Sequence, residues 1–110
     1  MMIQPTLCQW RRVCTVDDIP VQGSRVVQRA GQEDIAVFRT TSDEIFALVD
    51  RCPHKGGPLS AGLVHGRSVA CPLHNWVIQL DDGRAQAPDE GCALTVPVKV
   101  DEGDVYLGLD

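Results

Sequence analysis

Two short residue pairs, Cys52-Pro-His54 and Cys71-Pro-Leu-His74, constrain this 110-residue chain more than anything else in it. Each pair offers one thiolate and one imidazole, and a proline follows each cysteine. Sixteen residues, Lys55 to Ala70, separate them. Donors divided between two loops serve one metal site only if the loops stand side by side. The fold must therefore anchor both loops on rigid elements, and strands that end at the loop roots would do so.

The rest of the chain reads as such a scaffold. Trp10 to Val16 is rich in β-formers, and Asp17 to Pro20 turns it. Ser24 to Arg29 and Asp34 to Thr40 flank a hairpin loop at Ala30-Gly31-Gln32. Glu44 to Asp50 alternates as a strand with one buried face and leads into Cys52. Arg67 to Ala70 leads into Cys71, Trp76 to Leu80 leaves the second loop, and Asp81-Asp-Gly83 turns it. Leu94 to Val100 and Asp104 to Leu109 form a last hairpin across Asp101-Glu-Gly103, with Pro97 marking an edge or a bulge. No stretch holds a helical period between caps. Short strands with turn signals about every eight to twelve residues predict an all-β, antiparallel sandwich or barrel. From it sprout two loops, about 51–60 and 70–77, within a single domain over 1–110.

Composition narrows the partners. The net charge of −5 weighs against nucleic acid, which calls for a basic face. No apolar run approaches the roughly 18 residues of a membrane span. Met1 to Trp10 has neither the basic region nor the apolar core of a signal peptide, so a cytoplasmic location is expected. An odd count of five cysteines argues against a disulfide framework. Cys8, Cys14 and Cys92 are expected as small buried or strand residues, and Trp10 as core. His65 reads as a turn residue before a strand. Trp76 either roofs the ligand loops or packs beneath them.

The order C-x-H…C-x-x-H suits a Rieske-type [2Fe-2S] cluster, in which two histidines replace two cysteines on one iron. Cys52 and Cys71 would then share one iron, and His54 and His74 the other, so each loop clamps both irons. Trading two thiolates for neutral imidazoles raises the potential into a window of about −150 to +300 mV. Pro53 and Pro72 stiffen the loops, and Gly56 and Gly57 let backbone approach sulfide. The outer ring nitrogens of His54 and His74 would mark a docking tip flanked by Trp76 and Pro58. A tetrahedral zinc site takes the same donor types, although Cys-x-His order is unusual for it.

Cys52-Pro-His-Lys-Gly-Gly-Pro-Leu-Ser60 and Cys71-Pro-Leu-His-Asn-Trp76 resemble the cluster loops of the Rieske-type small subunit of assimilatory NAD(P)H-dependent nitrite reductase. Gly23-Ser-Arg-Val-Val27, Ile35-Ala-Val-Phe-Arg39 and Ala87-Pro-Asp-Glu-Gly-Cys92 extend the resemblance over nearly the whole chain. Lys55-Gly-Gly-Pro58 and His74-Asn-Trp76 favour this branch over the ferredoxins of ring-hydroxylating dioxygenases, whose second motif more often reads His-Gly. The resemblance implies Cys52, His54, Cys71 and His74 as cluster ligands and no complete active site on this chain. It implies a large-subunit partner that carries FAD, a [4Fe-4S] cluster and sirohaem and reduces nitrite to ammonium. High-potential respiratory relatives have a disulfide-bonded cysteine in each loop and Gly-Ser after the second histidine. Gly57, Leu73 and Asn75-Trp76 stand at those places here, which predicts no disulfide and a potential near the lower end of the window. Two other readings stay open: a free-standing Rieske ferredoxin of an oxygenase, and a structural zinc-binding module.

Overall fold

The computed structural model describes residues 9–29, 31–52, 57–71, 76–86 and 91–109. Its strands are β1 (Gln9–Thr15), β2 (Gly23–Val27), β3 (Ile35–Arg39), β4 (Ile45–Val49), β5 (Leu63–His65), β6 (Ser68–Ala70), β7 (Val77–Gln79), β8 (Thr95–Val96), β9 (Val98–Asp101) and β10 (Asp104–Leu109). Two 3-10 turns, Val16–Asp18 and Leu59–Ala61, are the only helical segments among the described residues. The strands form three antiparallel sheets, in the orders β1-β10-β9, β2-β3-β4-β8 and β5-β6-β7. The all-β antiparallel expectation holds.

One strand organises the interior. Every residue from Ile35 to Phe38 in β3 is fully buried. Ile35 and Val37 join Cys14, Ile19, Ala47, Val105 and Leu107 in one core. Ala36 and Phe38 join Leu48, Cys52, Leu59, Val69, Cys71 and Ile78 in another. Period-two alternation sends neighbouring side chains to opposite faces, so β3 is a wall with a core on each side. Strand β4 behaves alike: Ala47 faces the first core and Leu48 the second. The sequence reading of Glu44 to Asp50 as a strand with one buried face is therefore corrected. Packing on both sides buries both faces.

Two further expectations change. Trp10 is 46% exposed rather than core. The register of β1 against β10 slips between Arg12 and Cys14. This bulge breaks the alternation, so Cys14 turns inward while Trp10 and Arg12 face out. The Lys99 ammonium lies 5.1 Å from the centroids of both the Trp10 and Tyr106 rings. Pro97 is the one residue between β8, which pairs with β4, and β9, which pairs with β10. It marks a crossing between sheets, and both strands it joins are edges.

Candidate metal centre

Cys52 stands three residues beyond the end of β4, and Cys71 directly follows β6. Both cysteines are buried, at 1% and 0% exposure, in the same core. The Cys52 N–H donates to the Gly57 carbonyl at 2.7 Å, and the Cys71 N–H donates to the Trp76 carbonyl at 2.6 Å. Each cysteine thus roots a ring closed onto the residue five further along. Residues 53–56 and 72–75, and with them His54 and His74, lie outside the described residues. Trp76 is partly buried and packs against the core that holds both thiols.

The two roots are brought together by β5 and β6, which pair through Leu63↔Ala70, Val64↔Val69 and His65↔Ser68. The second loop connects β6 to β7, which pair at its base through Ala70↔Val77. The first loop is flanked by Asp50 and Ser60. The two carboxylate oxygens of Asp50 accept from the Ser60 N–H and the Ser60 hydroxyl, each at 2.7 Å. The Ser24 hydroxyl on β2 donates to the Ser60 carbonyl at 2.9 Å. Gln22 Nε2 donates to the Val64 carbonyl of β5 at 2.9 Å. Sequence reasoning missed Asp50, Ser60 and Ser24. The available signal was a short polar residue on either side of a Pro/Gly loop.

The remaining sulfurs and the third histidine are elsewhere. Cys14 sits in the other core, where burial pushes its thiol up from the usual value. Cys92 is exposed, opposite Arg84 in an isolated bridge, so of the two expectations, buried or strand residue, the structure gives the β-paired one. Its one-residue pairing provides no sheet face to bury it against. Cys8 lies outside the described residues. His65 belongs to β5 rather than to a turn and is exposed, and the turn follows at Gly66-Arg67.

This donor chemistry fits an iron–sulfur cluster. Two thiols from different loops share one apolar core, where an ionised sulfur needs a metal to offset its burial. The ring closures also engage the cysteine N–H groups, so the backbone at each root is satisfied.

The chain is similar to the ferredoxin subunit of anthranilate 1,2-dioxygenase from Burkholderia cepacia, with 34% identity over 98% of this chain and 99% of that protein. It is 35% identical, over 90% of its length, to part of the nitrite reductase [NAD(P)H] large subunit of Klebsiella oxytoca, of which it covers 11%. A solved structure described as a nitrite reductase NADPH small subunit shares the fold with a TM-score of 0.76 and 28% identity, covering 90% of this chain and 97% of that one. Several of the similar proteins are ferredoxin components of dioxygenase systems. No helix of the described residues is long and apolar enough to cross a membrane. The Rieske [2Fe-2S] domain matches residues 9–99, and the chain belongs to that family of electron carriers in oxidoreductase systems.

Proposed function

We propose that this chain, as one Rieske domain over 1–110, is the electron-transfer component of a cytoplasmic NAD(P)H-dependent nitrite reductase, with Cys52, His54, Cys71 and His74 as its cluster ligands. The observation that carries the ligand reading is the pair of buried thiols in one core, each at the root of a like-sized ring. When bound, the cluster supplies one-electron chemistry. The protein's share is to hold two loops together, keep water from the thiolates through the core of Leu59, Val69 and Ile78, and present the loop tips to a partner. The chain brings no complete active site, so nitrite chemistry, FAD, [4Fe-4S] and sirohaem belong to the partner large subunit.

Support for nitrite reductase over other Rieske systems comes from Lys55-Gly-Gly-Pro58 and His74-Asn-Trp76. The Klebsiella oxytoca large subunit adds to it, since a stretch of that protein is 35% identical to most of this chain. A second reading, a ferredoxin delivering electrons to an oxygenase, is favoured by the full-length 34% match to the anthranilate dioxygenase ferredoxin. Anaerobic purification followed by EPR tests the ligand reading, which requires a [2Fe-2S] signal of low average g. Co-purification tests the partner. Capture of a sirohaem-containing large subunit, with nitrite-dependent oxidation of reduced nicotinamide, supports the first reading. Turnover of an oxygenase, with no binding to that subunit, establishes the second in its place.

A further inference from the structure

The two loops reach the same ring closure from unlike roots. At the base of the second loop, β6 and β7 pair through Ala70↔Val77, so a β-ladder holds Cys71 and Trp76 together. Among the described residues, no ladder crosses the base of the first loop. Among the described strands, β4 belongs to the four-stranded sheet and β5 to the β5-β6-β7 sheet, and the two do not pair. A side chain stands where the ladder is missing. Asp50 reaches across ten residues to accept both the N–H and the hydroxyl of Ser60 at 2.7 Å. Ser60 is held from its other side by Ser24, whose hydroxyl donates to the Ser60 carbonyl. Three hydrogen bonds from two elements of the four-stranded sheet side thus converge on one residue. Inside this outer closure lies the inner one, Cys52 to Gly57.

We propose that Asp50 and Ser60 form the positioning clasp of the first loop and set where Cys52 stands relative to Cys71. This rests on the reading of Cys52 and Cys71 as ligands. Asp50 is a positioning residue that acts through Ser60. A carboxylate suits the task because its two oxygens can meet the N–H and O–H of one serine at once, and charge-assisted bonds are stronger than neutral ones. Alanine at position 50 would leave two partly buried donors of Ser60 without their acceptor.

The test uses the holoprotein as wild type, Asp50→Ala, Asp50→Asn, Ser60→Ala, the Asp50→Ala/Ser60→Ala double variant, Ser60→Thr and Gln22→Ala. Cluster loss in the presence of a chelator is followed by visible absorption, alongside EPR and the unfolding midpoint. Asp50→Ala and Ser60→Ala should each lose the cluster about tenfold faster, with broadened g-values. The double variant should be no faster than the worse single one, because both changes remove the same clasp. Ser60→Thr keeps the hydroxyl and should hold the cluster like wild type. Asp50→Asn, which keeps one acceptor and the size, should fall between and covers the case in which Asp50→Ala does not fold. Gln22→Ala breaks a comparable side-chain tie that ends on Val64 in β5 rather than on a residue flanking the first loop. It should lower the unfolding midpoint without changing the loss rate or the EPR signal. Wild-type loss rates and spectra in Asp50→Ala or Asp50→Asn would overturn the clasp alone, as would a Gln22→Ala variant as leaky as Asp50→Ala. A wild-type protein with no Rieske-type signal would overturn the ligand reading and the clasp with it.

Discussion

Gly62 sits directly against Ala70: a β-carbon built on Gly62 would land on the Ala70 carbonyl oxygen, well inside van der Waals contact. Gly62 ends the 3-10 turn after the first loop, and Ala70 precedes Cys71. This is where the two loop roots touch, one residue before the Leu63↔Ala70 pair. Backbone rather than a pliable side chain receives the clash, so Gly62→Ala must push the roots apart. It should destabilise the fold by about 1–3 kcal/mol, the range for overpacking a filled site, and lower the iron content of purified protein. Denaturant unfolding and iron analysis measure the two effects, and a variant matching wild type in both would contradict the contact.

The proposed ligands make a direct prediction. Cys71→Ser and His54→Ala should each abolish the visible and EPR signals of the cluster. Either variant keeping its colour and its g-values would refute the assignment of that residue.

Gly57 and Trp76, the residues that close the two rings, also bear on the potential. By the resemblance, Gly57 and Leu73 stand where high-potential relatives place the bridging cysteines, and Trp76 where they place a serine hydroxyl. Hydrogen bonds to the cluster sulfurs raise a Rieske potential, so fewer of them predict a midpoint near the lower end of the window of about −150 to +300 mV. A redox titration giving a midpoint above about +200 mV would be incompatible with this expectation.

Leu107 is fully buried in the core that lacks the cysteine pair. Leu107→Ala should cost about 2–5 kcal/mol of stability through the cavity it leaves. Because β3 separates the two cores, the absorption spectrum of the cluster in the folded protein should not change. A spectral shift in this variant would show that the cores are coupled.

Acid stability carries a smaller signature. The Thr15 backbone N–H donates to Asp18 Oδ2 at 2.9 Å, and this bond, followed by one from the Thr15 side chain, holds the Asp18 carboxyl below its usual 3.8. A folded value below the unfolded one means that the stabilisation is fully present above the ordinary carboxylate range. It is lost as pH falls through the lowered folded value. Asp18→Asn should therefore flatten the acid limb of the stability curve below about pH 4 and leave the shape of the neutral limb alone. Parallel limbs for wild type and variant in acid titrations monitored by circular dichroism would count against this role.

The strands were legible because their β-formers and turn residues act locally. The hairpin of β2 and β3, the turn at Asp81-Asp-Gly83 and the strand leading into Cys71 lie where the sequence puts them. The placement of Trp10 was not legible. It depends on a one-residue slip opposite Tyr106 and Val105, which is a property of the partner strand. The double-sided burial of β4 likewise arises from two sheets that its own residues do not announce. At the site, the meeting of Cys52 and Cys71 in one core could be read from spacing, since two short Cys/His pairs serve one site only on adjacent loops. The Asp50–Ser60 bonds could not, because a flanking serine and aspartate look the same whether they face water or each other.

The placement of the two tryptophans gives the protein a built-in pair of optical reporters. Trp10 lies on the outer face of the β1-β10-β9 sheet beside Lys99, while Trp76 packs at the exit of the second loop against the core of the cysteine pair. Emission from an exposed indole is red-shifted relative to a partly buried one, and an iron–sulfur chromophore quenches the nearer indole more strongly. One fluorescence spectrum, recorded with and without iron and deconvolved with Trp10→Phe, can follow the two halves of the molecule separately as either one loosens.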